Sequence, residues 1–209
     1  MAKTITALEI QKRNPNRVNV HLDGEFAFGL ARIVAAWLKV GQELAPEKIA
    51  ALLEADAGEV ALQRAMNFLS YRARSEKEVI DNLRKHGTPE PAITQTVERL
   101  KTSGAINDEK FARMWRENRT ELKPRGAYAL QSELRRKGIP DRVISRTLEN
   151  LDEAGLAYTA GLSRVKKLNA ADEQEFKRKM YGFLGRRGFG YETIQEVIGR
   201  LWQEHNKER

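Results

Sequence analysis

The sequence predicts a mainly α-helical chain, in which a tandem array of three three-helix repeats follows a small N-terminal β-meander. Strand-like alternation of apolar and polar residues is confined to the first thirty residues, and helical spacing of apolar residues takes over from Val60. A short basic phrase ending in glycine then occurs three times at nearly equal intervals. A chain of 209 residues has room for one or two compact domains with cores of their own.

The meander is predicted from three apolar runs separated by turn signals. Apolar residues recur within Thr4–Lys12, alternate with polar residues over Val18–Leu22, and return in Glu25–Leu30. Asn14-Pro15-Asn16 indicates the first turn, and Asp23-Gly24, a strong hairpin dipeptide, indicates the second. We therefore expect three antiparallel strands.

A sheet this small needs a cover for its apolar face, because few-stranded sheets are marginally stable alone in water. One predicted helix spans Arg32–Val40, and a second, short helix starts after Pro46. The side chains expected to cover the sheet are Ile33, Ala36 and Trp37 from the first helix and Ile49, Leu52 and Leu53 from the second. Asp56-Ala57-Gly58 predicts the boundary at which this segment ends.

The helical region repeats one phrase. Leu83–Gly87 returns as Leu134–Gly138 and as Leu184–Gly188, so the three glycines are 51 and 50 residues apart. We infer three units, each with a first helix, a short basic middle helix that ends at the glycine, and a third helix. The predicted first helices are Val60–Tyr71, Asp108–Leu122 and Leu156–Leu168. The predicted domains are residues 1–58 for the strand segment and 59–104, 105–154 and 155–209 for the repeats.

The formal net charge of +8 belongs to the repeats. Residues 1–60 carry 7 Lys and Arg against 8 Asp and Glu, whereas residues 61–209 carry 30 against 21. A basic region of this kind favours a polyanionic partner, either a nucleic acid or a protein assembly that carries one. The alternative is a basic surface that only maintains solubility.

Basic residues at the end of each middle helix are the first candidate binding set. A cation there is favoured by the helix dipole, by about 0.3–1 kcal/mol, so capping and solubility are the alternative explanation. One cation per helix would satisfy that requirement, and each repeat has two or three. The set consists of Arg84, Lys85, Arg135, Arg136, Lys137, Arg186 and Arg187.

Basic residues before the middle helices form a second candidate set. Arg74 and Arg125 both lie thirteen residues before their repeat glycine, where the helix dipole disfavours a cation. Helix stability therefore does not explain them, and we expect a binding role. Arg72, Arg119 and Lys123 accompany them. The third repeat departs from this pattern, with Glu175 at the matching position.

Trp115 lies among arginines, which raises the possibility of base stacking beside phosphate contacts. Arg113 and Arg116 flank it and join the candidate set. Phe111 and Trp115 are four residues apart, however, and this spacing favours burial of both rings against the core of the repeat.

Signatures of catalysis and of metal binding are lacking in the sequence. It has no cysteine, and His21, His86 and His205 have neither metal-ligand nor triad spacing. We predict a protein that is not an enzyme, with no catalytic residue, cofactor or metal. No apolar run is long enough to suggest a membrane span, and the β-like start argues against a signal peptide. The lack of cysteine fits a cytoplasmic location.

Four segments of the chain resemble the RecX family, the bacterial regulators of the RecA recombinase. The segments that carry the resemblance are Phe68–Glu78, Ile106–Ala112, Gly126–Leu130 and Glu133–Ile139. The similarity runs over essentially the whole chain and is poorest in the third repeat. The strand segment is similar to the extension present in longer members of the family.

The resemblance implies a function that composition cannot show. Members bind RecA filaments on single-stranded DNA, lodge in the helical groove, and suppress filament growth, ATP turnover and strand exchange. It therefore implies a RecA filament and single-stranded DNA as partners, with double-stranded DNA as a further one, and a monomer acting in recombination, repair and the SOS response. A basic helical module that binds DNA without a recombinase is the alternative.

Overall fold

The computed structural model describes residues 1–207. The chain separates into two compact units, the first formed by Met1–Arg74 with Glu78–Ile106 and the second by Ser75–Lys77 with the chain from Asn107 onward. The fold class is confirmed: a strand meander precedes three helical repeats. The predicted third repeat extends to 209, and residues 208–209 lie outside the described residues.

The sheet of the first unit is a meander with one added strand. Its strands are β1 (Lys3–Gln11), β2 (Asn14–Leu22), β3 (Glu25–Ala31) and β4 (Glu43–Leu44), in the order β3-β2-β1-β4. Asp23 and Gly24, with φ of 51° and 91°, form the predicted hairpin turn. The strand β4 pairs with β1 through only two residues, too few to leave a periodic signal in the sequence.

The first predicted turn is wrong by two residues. The turn occupies Lys12 and Arg13, and Asn14-Pro15-Asn16 opens β2 instead. Asn14 pairs with Gln11 across a register shift, and its Oδ1 accepts a hydrogen bond from the Asn16 backbone at 3.1 Å. Proline is tolerated here because the irregular end of a strand makes fewer ladder hydrogen bonds.

The predicted cover of the sheet is confirmed for Ile49 and Leu52 after Pro46 but is wrong for the first helix. The helix α1 (Arg32–Ala35) has a single turn, and Ile33 and Trp37 are 68% and 87% exposed. Because the helix ends after Ala35, the chain does not bring Ala36 and Trp37 back over the sheet. The side chains that pack on the sheet are Val34, Ala35 and Leu38 near the short helix, together with the predicted Ile49 and Leu52. The predicted Leu53 is 43% exposed.

The helix α2 (Pro46–Leu69) is continuous, so the predicted interruption at Asp56-Ala57-Gly58 is wrong. The buried carboxylate of Asp56 accepts hydrogen bonds from the Ala31 backbone N–H at 2.5 Å and from Arg17 Nη2 at 2.9 Å. A polar residue is tolerated in the middle of this helix because both carboxylate oxygens have partners. One helix thus covers the sheet with its first half and opens the first repeat with its second half.

The repeats have the predicted three-helix order. The first helices are the end of α2, α5 (Asp108–Leu122) and α8 (Glu153–Val165), the last of which starts three residues before its predicted position. The middle helices are α3 (Glu76–Lys85), α6 (Ala127–Arg136) and α9 (Glu173–Arg186). The third helices are α4 (Glu90–Thr102), α7 (Asp141–Leu148) and α10 (Tyr191–Lys207). Each repeat has its own apolar core.

The predicted glycine caps are confirmed at Gly87, Gly138 and Gly188, hereafter the repeat glycines. Their φ angles of 72°, 78° and 83° are left-handed. The backbone N–H that follows each glycine donates to the carbonyl of the leucine four residues before it, at 3.1–3.3 Å. A left-handed glycine therefore ends every middle helix and turns the chain into the third helix.

Within the second unit, α6 is anchored to the end of α9 by backbone contacts. Gly126 N–H donates to Arg187 O at 3.0 Å, and Tyr128 N–H donates to Gly188 O at 3.3 Å. A Cβ on Gly126 would lie 2.2 Å from Gly188 O, so only glycine allows this approach. Glu153 of α8 accepts from the Ala127 N–H at 2.6 Å. The second and third repeats are thereby fixed to one another.

Candidate functional site

The basic residues at the end of the middle helices have three different environments. The arginines three residues before a repeat glycine, hereafter the fastening arginines, are Arg84 and Arg135. Arg84 Nε lies 2.6 Å from Glu90 Oε1, and Arg135 Nε lies 2.7 Å from Asp141 Oδ1. Each pair spans the glycine turn and joins the middle helix to the third helix. The hydrogen bond and charge of Glu90 raise the pKa of Arg84, and Arg84 lowers the pKa of Glu90.

Lys137 and Arg187, one residue before a repeat glycine, pack within the second unit. Lys137 Nζ lies 5.1 Å from the centre of the Trp115 ring, and its carbonyl accepts a 2.7 Å hydrogen bond from Ser75 Oγ. The Arg187 guanidinium lies 4.7 Å from the Phe183 ring and donates to Pro124 O at 3.3 Å. Their side chains help to hold the fold.

The cations two residues before each repeat glycine, hereafter the open cations, are Lys85, Arg136 and Arg186. All three are exposed, and none makes an ion pair or hydrogen bond with another side chain within residues 1–207. Packing and ion pairing therefore explain the basic residues next to the open cations, but they do not explain the open cations.

The two candidate arginines before the middle helix of the first repeat make more contacts with neighbouring residues than the sequence predicts. Arg72 makes a two-pronged contact with Glu78, with N–O distances of 2.9 and 3.2 Å. The Arg74 guanidinium lies 4.0 Å from the Phe68 ring, and burial, then the charge of Arg72, lowers the pKa of Arg74. Packing on Phe68 gives Arg74 a structural role that the sequence did not predict.

A single carboxylate organises the matching region of the second repeat. Glu133 Oε2 accepts from Trp115 Nε1 at 2.8 Å and from Arg119 Nε at 2.9 Å. Its Oε1 lies 3.9 Å from Arg125 Nε. Sequence reasoning missed Glu133, although it is the one acidic residue between Gly126 and Pro140. An isolated acid within a basic segment was the available signal.

The structure favours packing over base stacking for Trp115. Phe111 stacks on its ring with centroids 5.8 Å apart, and Arg119 lies 4.7 Å from the ring centre. Arg116 is likewise committed, since its Nη1 donates to Thr147 O at 2.9 Å. By contrast, Arg113 and Lys123 are exposed and have no polar side-chain partner within residues 1–207.

Neither metal nor membrane sites emerge from the part of the chain that the structure describes. Over residues 1–207 no three His, Asp or Glu side chains are grouped so that they could hold a metal ion. None of the helices there combines the length and the apolar character that crossing a bilayer requires.

The fold and this surface define a class: tandem glycine-capped three-helix repeats that follow a strand domain and carry open cations at equivalent positions. Family models match all four parts of the chain. The regulatory protein RecX N-terminal domain matches residues 3–45, and the first, second and third three-helix domains of RecX match residues 61–100, 107–148 and 152–198. The chain belongs to the RecX family.

Individual relatives agree with the family models. The regulatory protein RecX of Bacillus pumilus is 34% identical over 98% of this chain and 80% of its own length. That of Clostridium botulinum (strain Eklund 17B / Type B) is 32% identical over 95% of both chains. A crystal structure of regulatory protein RecX covers 95% of this chain, with a TM-score of 0.77 and 27% identity. That of RecX from Lactobacillus salivarius covers 70%, with a TM-score of 0.63 and 26% identity.

Proposed function

We propose that this protein regulates the RecA recombinase by binding the RecA filament on single-stranded DNA and limiting its growth, ATP hydrolysis and strand exchange. Membership of the RecX family supports a regulatory role. The observation that carries the basic-face mechanism is that all three repeats leave a cation unpaired two residues before the glycine, at Lys85, Arg136 and Arg186. A polyanionic filament supplies the missing partners.

The open cations, with Arg113 and Lys123, are the contact residues of this proposal. A cation without a partner can bind an anion at little cost, whereas a paired arginine must first give up its carboxylate. We therefore assign the fastening arginines to structure. Several weak contacts on one chain add up, because after the first contact the others form at high effective concentration. A monomer is sufficient for this mode of binding.

Binding and steric obstruction are enough for the proposed regulation, and no bond is made or broken. We accordingly propose a protein that is not an enzyme and needs no cofactor. The same proposal places it in the cytoplasm, in homologous recombination, DNA repair and the SOS response.

The test is a titration of this protein into a RecA recombinase hydrolysing ATP on single-stranded DNA, beside a gel shift on the same DNA without RecA. We expect inhibition at protein concentrations well below those that coat bare DNA. Inhibition only where bare DNA is already saturated would overturn the proposal and make the protein a stand-alone DNA-binding module that competes with RecA.

A further inference from the structure

Positive charge is crowded where the second repeat meets the third. Arg125 and Arg187 lie there, and Arg125 shares the Glu133 carboxylate with Arg119. Arg119 holds Glu133 at 2.9 Å, whereas Arg125 Nε is 3.9 Å from it. Arg187 makes no ion pair with any described residue. Burial and then the charge of Arg125 lower the pKa of Arg187, so the two positive charges disfavour each other.

The backbone brings these two arginines together. Arg125 precedes Gly126 and Arg187 precedes Gly188, and Gly126 N–H donates to Arg187 O at 3.0 Å. The Arg187 guanidinium reaches back to Pro124 O, the carbonyl just before Arg125, at 3.3 Å. Their proximity is therefore fixed by a backbone contact that admits no side chain at Gly126.

The packing of Arg187 on Phe183 contributes to the fold, but helix stability offers no reason for placing Arg125 beside it. Arg125 precedes the N-terminus of α6, where the helix dipole repels a cation. The anion-binding capacity of that terminus is already used, since Glu153 accepts from the Ala127 N–H at 2.6 Å and lies 3.5 Å from Thr193 Oγ1. Glu153 forms no ion pair with either arginine among the described residues. Like charges held close together, with only the 3.9 Å contact of Arg125 with Glu133 to offset them, are a mark of a functional site.

We propose that Arg125 and Arg187 form a two-guanidinium site for a phosphate group of a nucleic-acid backbone. Guanidinium donors match phosphate oxygens in forked geometry, and a bound phosphate cancels the repulsion between the two side chains. Lys123, exposed two residues before Arg125, adds charge beside the site. Since Phe111 and two cations surround the Trp115 ring, no base stacks there, and the contact reads no sequence.

The proposal rests on the proposed function only in taking nucleic acid as the polyanion. Its test is fluorescence anisotropy of a labelled oligo(dT) 20-mer over a series of KCl concentrations. R125A should weaken binding roughly five- to tenfold and flatten the slope of log K against log salt by about 0.7. R135A removes the same charge from an ion-paired fastening arginine, and should change affinity less than about twofold with no change of slope.

Two further variants separate binding from folding. R187K keeps the charge and the stem packed on Phe183 but loses the fork, so its DNA affinity should fall by less than that of R125A. The melting temperature of R125A should stay close to that of the wild type, because the lost contact with Glu133 and the lost repulsion from Arg187 oppose each other. A lowered melting temperature, with DNA binding no weaker than that of R135A, would overturn the site.

Two further comparisons identify the source of the phosphate and distinguish failure of this site from failure of the proposed function. Inorganic phosphate is titrated calorimetrically into the wild type and R125A at constant ionic strength. Saturable binding lost in R125A, with oligo(dT) binding unchanged, would overturn the nucleic-acid assignment in favour of a free ion. Normal oligo(dT) binding with weakened inhibition of RecA would overturn the site and keep the proposed function. Weakened oligo(dT) binding with intact inhibition would keep the site and count against the basic-face mechanism.

Discussion

The first two repeats and the third fasten the same helices by different chemistry. Arg84–Glu90 and Arg135–Asp141 join the middle helix to the third helix by ion pairs at 2.6 and 2.7 Å. In the third repeat Gly185 stands at the arginine position, and Tyr191 stacks on Tyr181 with ring centroids 5.5 Å apart. In this fold, therefore, an aromatic stack can replace the ion pair that joins the middle helix to the third helix.

The open cation, in contrast, is present in all three repeats. Lys85, Arg136 and Arg186 persist although no packing or ion pair in the described residues requires them. A position that keeps its charge where its neighbour changes chemistry supports the proposed contact with an external partner. Under that proposal the two adjacent positions have different roles, one in structure and one in binding.

The largest loss of stability is expected at Gly188, the repeat glycine that also packs against the backbone of α6. A Cβ on Gly188 would lie 2.4 Å from the Ala129 backbone N, whereas one on Gly87 would meet nothing within 4 Å. Both substitutions force alanine into a left-handed conformation, but only the first also displaces a backbone. G188A should cost about 2–5 kcal/mol and G87A about 1–2 kcal/mol. Thermal unfolding followed by circular dichroism measures both, and equal losses would refute the tight approach at Gly188.

The stack of Tyr191 on Tyr181 in the third repeat should make an intermediate contribution to the free energy of unfolding. Y191A removes the stack on Tyr181 and the 2.7 Å hydrogen bond from Gln195 Nε2, and should cost about 1 kcal/mol. The control Y191F keeps the ring and should stay close to the wild type. Urea unfolding provides the comparison. If Y191F were as damaging as Y191A, the hydroxyl rather than the stack would be the fastening element.

Loss of the Arg84–Glu90 ion pair in the first repeat should have the smallest effect on stability, and this effect should depend on pH. Arg84 lowers the pKa of Glu90, so the pair stabilises the fold at pH values above the ordinary carboxyl range. That contribution is lost as the pH falls through the lowered pKa. R84A should therefore melt slightly below the wild type at neutral pH and low salt. The difference should vanish in acid and in high salt, and a difference that survived both would show that the ion pair is not its cause.

The repeats could be predicted because their signals are local. A glycine after a basic helix and apolar residues at fixed distances leave a periodic trace, and the left-handed φ of Gly87, Gly138 and Gly188 gives its physical cause. The continuity of α2 could not be predicted in the same way. Asp56 is polar and precedes a glycine, and only its tertiary partners Arg17 and Ala31 make it a helix residue.

The cations of the candidate site could be predicted from the sequence, but which of them are ion-paired and which are exposed without a partner could not. The charges are visible in the sequence, whereas their partners are set by folding. The fastening pairs could have been found, since Glu90 and Asp141 both lie three residues after a repeat glycine. Glu133 could have been noticed as an isolated acid, but its partner Trp115, eighteen residues away, could not have been assigned. The contact that brings Arg125 and Arg187 together joins two repeats and leaves no local signal either.

The central claim is that the open cations bind the filament and the fastening arginines do not. It is tested most directly by comparing R136A/R186A with R84A/R135A, each of which removes two positive charges, as inhibitors of RecA ATP hydrolysis on single-stranded DNA. We expect the inhibitory midpoint to rise roughly tenfold for R136A/R186A and less than about twofold for R84A/R135A. Equal shifts, or a larger shift for R84A/R135A, would contradict it.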